Sequence, residues 1–269
     1  MPWPRPPPGR RRRSPRRERV TQSKGRSGRG QHGKKSRSGA GGRQLAVRLD
    51  SSKRRTASSR RWLERQLSDP YVARARSEGY RSRAAYKLIE LDERFHLFAR
   101  GQRVVDLGAA PGGWTQVAVE RVGAEPGGPG HVVAIDVLPM DPVPGAIVLT
   151  HDFMAADAPD LLRAALGGPA DVVLSDMAAP ATGHTATDHL RIMALCEVAL
   201  DFAESVLAPG GSFVAKVLRG GTERTLYERL RRDFAKVRHA KPPASRAESA
   251  ESYVVATGFR AASPDRSEH

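Results

Sequence analysis

The chain has 269 residues, of which 45 are Lys or Arg and 29 are Asp or Glu, so its formal net charge is +16. With no Gly-X-Y or heptad repeat and a single cysteine, Cys196, it is excluded from the collagen, coiled-coil and disulfide-scaffold classes. No stretch reaches the roughly 18 consecutive apolar residues of a membrane-spanning helix, and no apolar segment of a secretory signal follows the N-terminal arginines. We therefore expect a cytoplasmic protein in which Cys196 is a packed, reduced thiol.

The positive charge is concentrated near the N-terminus. Residues 1–70 hold 22 Lys/Arg and 4 Asp/Glu, whereas residues 71–269 hold 23 and 25. Residues 1–57 are rich in Arg, Gly and Ser and too poor in apolar side chains to offset the entropy of ordering. We predict a disordered basic tail over 1–57, one ordered domain over 58–260 and a disordered C-terminus over 261–269. The tail could attract nucleic-acid phosphates or could simply solubilise the chain, and composition leaves both interpretations open.

The ordered region is predicted to begin with short helices and to continue as alternating strands and helices. Apolar residues at helical spacing predict helices at 62–67, 71–77 and 82–95. Short Val/Ile/Leu-rich runs then predict strands at 103–107, 131–136, 146–150, 171–176, 212–218 and 253–258. Intervening helices are predicted from about 114 and at 157–166, 187–207 and 222–234. This alternation is typical of an α/β fold with a mostly parallel sheet covered by helices on both faces.

Four aspartates end or directly follow the predicted strands. They are Asp106, Asp136, Asp152 and Asp176. Because ligands of open parallel sheets bind beyond the carboxyl ends of the strands, we expect these side chains along one rim of the sheet. Taken singly, each aspartate is equally compatible with a turn or capping role.

The first strand leads into a glycine-rich turn, DLGAAPGGW at residues 106–114. A dinucleotide-binding turn needs three glycines so that backbone N–H groups approach a pyrophosphate, but here Ala110 replaces one glycine and Pro111 lacks an N–H. The turn still places a helix N-terminus where a carboxylate is favoured. Asp136, at the end of the second strand, suits two ribose hydroxyls. A ligand with a carboxylate and a ribose but no phosphate fits S-adenosylmethionine better than NAD.

Six segments together resemble the FtsJ/RrmJ family of RNA 2′-O-methyltransferases. They are RSRAAYKL (81–88), DLGAAPGGW (106–114), DVLPMDP (136–142), SDMAAP (175–180), LAPGGSFVAK (207–216) and ESYVVATG (251–258). The resemblance covers roughly residues 60–260 and excludes the tail. It implies a Rossmann-like class I methyltransferase fold, S-adenosylmethionine as cofactor, and methylation of a uridine ribose of 23S rRNA within the 50S ribosomal subunit.

The resemblance also implies which residues act. It assigns a catalytic tetrad to Lys87, Asp176, Lys216 and Glu251. It assigns cofactor contacts to Gly112, Trp114, Asp136, Asp152 and Asp176. This chain departs from the family after Met177: the family commonly has an asparagine after the Ala of its Ser-Asp-Met-Ala-Pro turn, whereas here an extra Ala179 precedes Pro180. The departure concerns the geometry of this loop and the way the target nucleotide is held, and not Asp176.

The tetrad suits methyl transfer to a hydroxyl. The 2′-hydroxyl is a poor nucleophile that benefits from a base, and a lysine serves as a base only as a neutral amine. Burial and a neighbouring cation favour the neutral amine, whereas carboxylates favour the ammonium. Lys216 lies in an apolar strand, so we predict that it deprotonates the hydroxyl with Lys87 assisting. Asp176 and Glu251 hold the lysines.

The sequence leaves other functional hypotheses open. A tRNA 2′-O-methyltransferase would use the same tetrad, and a catalytically inactive rRNA-binding assembly factor could keep the fold. His151, His184 and His189 lack the spacing of a metal site, so no metal is predicted. A 2′-hydroxyl target implies RNA and not DNA. We expect a monomer without membrane association.

Overall fold

The computed structural model describes residues 68–180, 182–218 and 223–260. The predicted tail, the predicted helix at 62–67, the domain boundary at 58 and the predicted C-terminal segment lie outside these residues.

The described residues begin with two helices, and after residue 102 helices separate most of the successive strands. The helices are α1 (Pro70–Glu78), α2 (Ala84–Phe95), α3 (Gly113–Val122), α4 (Ala158–Leu166), α5 (Thr185–Val206) and α6 (Glu223–Asp233). The strands are β1 (Arg103–Leu107), β2 (His131–Asp136), β3 (Ala146–Thr150), β4 (Ala170–Ser175), β5 (Leu207–Leu218), β6 (Phe234–Ala240) and β7 (Glu251–Phe259). Within these ranges no helix is both long and apolar enough to cross a lipid bilayer.

The strands form one mixed sheet in the order β3-β2-β1-β4-β5-β7-β6. The five strands from β3 to β5 are parallel, and β7 pairs antiparallel with both β5 and β6. The predicted fold class is confirmed: the core of the sheet is parallel and helices cover both faces. Parallel strands place their carboxyl ends at one edge, and this edge carries the site described below.

Two hydrophobic layers bury the sheet. Successive side chains of a strand point to opposite faces, so Val105 and Leu107 of β1 belong to the hydrophobic layer that includes side chains of α4, α5 and α6, whereas Val104 belongs to the layer that includes side chains of α2 and α3. Cys196 of α5 is buried in the first layer, and burial raises the pKa of its thiol to about 12, as expected for a packed thiol.

Strand β6 was not predicted from the sequence. Its buried positions are Phe234, Val237 and Ala240, a spacing of three that matches neither the alternation of a half-buried strand nor a continuous apolar run. The residues between them, including Lys236 and Arg238, are exposed because β6 lies at an edge of the sheet. Its hydrogen bonding to β7 therefore decides its conformation.

Helix α1 begins with a local signal that the sequence carries. The Asp69 carboxylate accepts a hydrogen bond from the Tyr71 N–H at 3.0 Å, and Pro70 occupies the first turn, where its missing N–H has no helical partner to lose. The Asp69 carboxylate also forms a salt bridge with Arg83, whose guanidinium donates to the Ala244 carbonyl. Asp69 therefore ties α1 to the chain ahead of α2 and to the loop between β6 and β7.

Candidate active site

A cleft of about 620 Å³ opens at the carboxyl edge of the parallel strands. Three of the four predicted rim aspartates line it: Asp136 at the end of β2, Asp152 after β3 and Asp176 after β4. The volume is in the range of small-molecule sites. The apolar side chains of Val137, Leu138 and Met154 also line this cleft, although each is more than half exposed.

The expectation that Asp106 lies on this rim is wrong. Its side chain is fully buried within β1 beneath the glycine-rich turn, where Oδ2 accepts a hydrogen bond from the Thr115 hydroxyl at 2.7 Å. Its Oδ1 atom has no hydrogen-bond partner among the described residues. Desolvation raises the pKa of this carboxyl to about 7, although the Thr115 hydrogen bond opposes the shift. Asp106 is therefore a buried support of the turn and not a wall of the cleft.

Asp136 connects the glycine-rich turn to the loop after β2. Its two carboxylate oxygens accept the backbone N–H groups of Ala110 and Leu138, each at 2.8 Å. An ionised carboxylate has about four lone-pair positions, so both oxygens remain able to accept a hydroxyl from a ligand. This arrangement matches the ribose contact expected from the sequence.

Asp152 shapes the next part of the cleft. Its carboxylate accepts the Met154 N–H at 2.9 Å, which folds the chain after β3 so that Phe153 is buried while Met154 stays exposed at the cleft. The carboxylate itself is exposed at the cleft. A planar apolar ring could therefore lie against Met154 with polar edges near Asp152.

The four predicted catalytic residues come together as two ion pairs. Nζ of Lys216 lies 2.8 Å from the Asp176 carboxylate and also donates to the Asp176 backbone carbonyl at 2.8 Å. Nζ of Lys87, on α2, lies 2.7 Å from the carboxylate of Glu251 at the start of β7. These side chains are only 9% to 18% exposed, so solvent screens the pairs weakly.

The charge of Asp176 is maintained by these neighbours. Burial by itself would raise the pKa of its carboxyl, but the positive charges of Lys216 and Lys87 and the hydrogen bond from Lys216 lower that pKa below its usual value. Asp176 is therefore an anion at neutral pH. Asp176 lines the cleft and lies beside the largely buried Lys216. A cationic ligand in the cleft and an amine that can accept a proton can therefore meet at Asp176.

The sequence did not single out Tyr253. This residue of β7 is 0% exposed, and its hydroxyl donates to the Asp176 carboxylate at 2.7 Å and accepts from Nζ of Lys87 at 3.2 Å. The sequence nevertheless carries a signal that Tyr253 belongs to the site. Tyr253 follows Glu251 by two positions in the same strand, so the two side chains share one face.

Gly112 and Trp114 occupy supporting positions around the turn. Gly112 has φ of 104° directly before α3, and a Cβ there would lie 2.9 Å from the Arg81 guanidinium. Trp114 is buried, donates its indole N–H to the Ala84 carbonyl at 2.8 Å and packs on Tyr253 with ring centroids 5.5 Å apart. Neither is among the described residues that line the cleft, and their cofactor contacts stay predictions.

The doubly covered sheet and the carboxylate-lined cleft define a Rossmann-like methyltransferase class. The chain belongs to the FtsJ-like methyltransferase family, whose sequence profile matches residues 80–259. It is an enzyme that takes its methyl group from S-adenosylmethionine.

Relatives extend the comparison over most of the chain. The ribosomal RNA large subunit methyltransferase E of Paramagnetospirillum magneticum is 67% identical over 224 residues, which are 83% of this chain and 92% of that protein. The protein of the same name from Xanthobacter autotrophicus is 62% identical over 222 residues, 82% of this chain and 87% of its own. A crystal structure described as a ribosomal RNA methyltransferase from Plasmodium falciparum superposes with a TM-score of 0.60 at 32% identity, covering 67% of this chain and 98% of that chain.

The residues of the cleft fit this cofactor. S-adenosylmethionine carries a sulfonium and an ammonium, and the cleft offers three carboxylates, from Asp136, Asp152 and Asp176, together with apolar walls. The turn lacks the N–H of Pro111 that a phosphate-binding loop would use. Across the described ranges no cluster of three His, Cys, Asp or Glu side chains is arranged to hold a metal ion. The donor set therefore suits a cationic nucleoside without a phosphate.

Proposed function

We propose that this protein methylates the ribose 2′-oxygen of a uridine in 23S rRNA, acting on the large ribosomal subunit. The observation that carries the proposal is the largely buried tetrad of Lys87, Asp176, Lys216 and Glu251 beside a carboxylate-lined cleft. The names of the relatives support the large subunit as the place of action. We further propose that the enzyme acts in the cytoplasm as a monomer, with 23S rRNA in the 50S subunit as its partner.

The residues of the cleft have distinct roles in this proposal. Asp136 binds the ribose hydroxyls of the cofactor, Asp152 contacts its base, and Gly112 and Trp114 shape the turn that receives its methionine end. When bound, S-adenosylmethionine supplies an electrophilic methyl group on a sulfonium. Asp176 holds its negative charge near that cation.

Lys216 handles the proton of the reaction. Lys216 would act as the base in its neutral form: Nζ would accept the proton of the 2′-hydroxyl while that oxygen takes the methyl group that the bound cofactor would supply, which would leave the cofactor as a neutral thioether. The positive charge that develops on Nζ lies 2.8 Å from the Asp176 carboxylate, which stabilises it. Lys87 is held by Glu251 at 2.7 Å and orients the hydroxyl.

Tritiated methyl transfer tests the proposal. Purified 50S subunits, naked 23S rRNA and bulk tRNA are compared as acceptors for the parent protein and for Lys216→Ala. We expect incorporation into 50S subunits that maps to one ribose 2′-oxygen, and a loss of at least about 100-fold in kcat for Lys216→Ala, the usual contribution of a general base. Lys236→Ala, which removes an exposed lysine of β6, should behave as the parent.

The other outcomes contradict the proposal in different ways. Incorporation into tRNA alone would make the protein a tRNA methyltransferase. Cofactor binding without incorporation into any RNA would favour an assembly factor without catalysis. Parental turnover in Lys216→Ala, with cofactor affinity intact, would overturn the assignment of the base.

A further inference from the structure

The two ion pairs of the active site are joined through one tyrosine hydroxyl. Tyr253 donates to Oδ1 of Asp176 at 2.7 Å, and the same oxygen lies 2.8 Å from Nζ of Lys216. The Tyr253 hydroxyl also accepts from Nζ of Lys87 at 3.2 Å, and Lys87 is paired with Glu251. A continuous chain of contacts therefore runs from Glu251 through Lys87, Tyr253 and Asp176 to Lys216.

The sheet register places Tyr253 where this chain needs it. Lys216 of β5 lies directly opposite Tyr253 of β7 in the antiparallel pair, so their side chains emerge on the same face. Glu251 is two residues before Tyr253 and shares that face. The relative positions of Lys216, Glu251 and Tyr253 are thus set by backbone hydrogen bonds between β5 and β7.

Packing alone does not account for the hydroxyl. The ring of Tyr253 belongs to the hydrophobic layer that includes Trp114, and a phenylalanine ring would fill the same space. A hydroxyl in such a layer lowers stability unless it is hydrogen-bonded, and here both of its partners are charged groups of the tetrad. The Tyr253 hydroxyl therefore serves the active site and not the packing of the hydrophobic layer.

We propose that Tyr253 is a positioning residue that sets the protonation balance of Lys216 through Asp176. By donating to Oδ1, the hydroxyl fixes the orientation of the Asp176 carboxylate and withdraws part of its negative charge from Lys216. A weaker carboxylate beside Lys216 favours the neutral amine that accepts the proton. This inference rests on the proposed methyl transfer and adds a residue outside the tetrad.

The charged surroundings agree with this role. Tyr253 faces Lys87 from α2, Lys216 from β5, Asp176 after β4 and Glu251 on its own strand. Burial and the charges of Asp176 and Glu251 raise the pKa of the Tyr253 hydroxyl well above its usual value. The phenol therefore stays protonated over the working range of pH and remains a donor. Asp106 adds a further acidic group near Asp176 from β1.

Tyr253→Phe isolates the hydroxyl. We expect kcat at neutral pH to fall about 10- to 100-fold, the range that one hydrogen bond to a charged group supplies. The rising limb of the kcat–pH profile should move to higher pH, because the undivided charge of Asp176 favours the ammonium of Lys216. The KM for 50S subunits and the Kd for S-adenosylhomocysteine should stay within about twofold of the parent, since the ring and the cleft are retained.

A matched control and a second variant complete the test. Tyr86→Phe removes the hydroxyl of another tyrosine whose ring is buried, and this hydroxyl donates to the Glu78 carboxylate at 2.8 Å, outside the tetrad; the variant should keep the parental kcat and pH profile. If Tyr253→Phe does not fold, 3-fluorotyrosine at position 253 keeps the hydroxyl and makes it a stronger donor. The profile should then move to lower pH, opposite to the shift expected for phenylalanine.

Each result decides the inference. An active parent whose kcat and pH profile are unchanged by Tyr253→Phe, or by 3-fluorotyrosine when only that variant folds, overturns it while leaving the proposed function intact. If Tyr253→Phe loses cofactor affinity and thermal stability along with kcat, the residue has a structural role and the inference is also overturned. A parent that methylates no RNA overturns the proposed function and this inference together.

Discussion

Single carboxylates in this protein have different properties because their surroundings differ. Asp176 and Asp106 both lie near the carboxyl edge of the sheet, yet the pKa of Asp176 is lowered by Lys216 and Lys87 while that of Asp106 is raised by burial. Asp176 has cationic neighbours on two elements, whereas the only described hydrogen bond to the Asp106 side chain comes from Thr115. Asp176 is therefore an anion of the site at neutral pH, whereas Asp106 titrates near neutrality.

The pKa of Asp106 predicts a pH-dependent stability. Folding raises this pKa from its ordinary value of 3.8 to about 7, so the folded state holds a proton that the unfolded state loses as pH rises between these values. The stabilising contribution is complete below pH 4 and is lost by pH 7. Asp106→Asn does not titrate, so its free energy of unfolding relative to the parent should rise by about 2–3 kcal/mol from pH 5 to pH 8.

Urea unfolding of both proteins at the two pH values measures this difference. Asp188→Asn changes a partly exposed carboxylate whose pKa is lowered by hydrogen bonds from the Thr182 hydroxyl and N–H, so its difference from the parent should stay flat between pH 5 and pH 8. If the curves of Asp106→Asn and the parent remain parallel between pH 5 and pH 8, the buried carboxyl does not titrate there.

At the scale of elements, the glycine-rich turn depends on close contact between two loops. Gly108 has φ of 77°, and a Cβ at this position would lie 2.7 to 2.9 Å from the Met177 Cγ, Cα and N atoms. The turn after β1 therefore lies directly against the chain that follows Asp176. Any side chain at Gly108 would push apart two segments that both line the cleft.

Gly108→Ala should weaken cofactor binding, because its Cβ would collide with the chain at Met177. Gly127 has a similar φ of 86° but would place its Cβ in open space, so Gly127→Ala carries the conformational penalty of about 1–2 kcal/mol without the clash. We expect at least a tenfold rise in the Kd for S-adenosylhomocysteine for Gly108→Ala and no change for Gly127→Ala, measured by calorimetry. Equal affinities in the two variants would show that the turn adapts.

At the scale of the whole molecule, charge separates the chain into a basic N-terminal part and a nearly neutral remainder. Residues 1–70 carry a net charge of +18, from 22 basic and 4 acidic residues, and residues 71–269 a net charge of −2, from 23 and 25. The tail itself lies outside the described residues, so its role is argued from composition. Contacts with phosphates release counterions, and the salt dependence of RNA affinity reports them.

Deletion of residues 1–55 should reduce the salt dependence of binding to rRNA. Each phosphate contact that is lost lowers the slope of log K against log salt by roughly 0.7 to 0.9, and affinity at low salt should fall by tens of times. Filter binding across a salt series measures the slope. Deletion of residues 261–269, which hold one basic and two acidic residues, is the control and should leave it unchanged. An unchanged slope without the tail would favour a solubilising role.

The sequence by itself determined the parallel core of the sheet and the identity of the rim carboxylates. Asp136, Asp152 and Asp176 could be placed together because parallel strands end at one edge, and this reasoning needs only local strand patterns. The motif resemblance identified Lys87 and Glu251, although 164 positions separate them in the chain.

Only the tertiary structure decided which strand forms the sheet edge, where the Asp106 side chain lies and which residues Tyr253 contacts. The edge strand β6 has no strand pattern of its own and forms through its hydrogen bonds with β7. Asp106 points beneath the turn, because burial depends on what packs above the strand. Tyr253 contacts Lys87 across 166 positions and Asp176 across 77. Such contacts depend on register and packing between distant elements, for which periodicity along the chain carries no information.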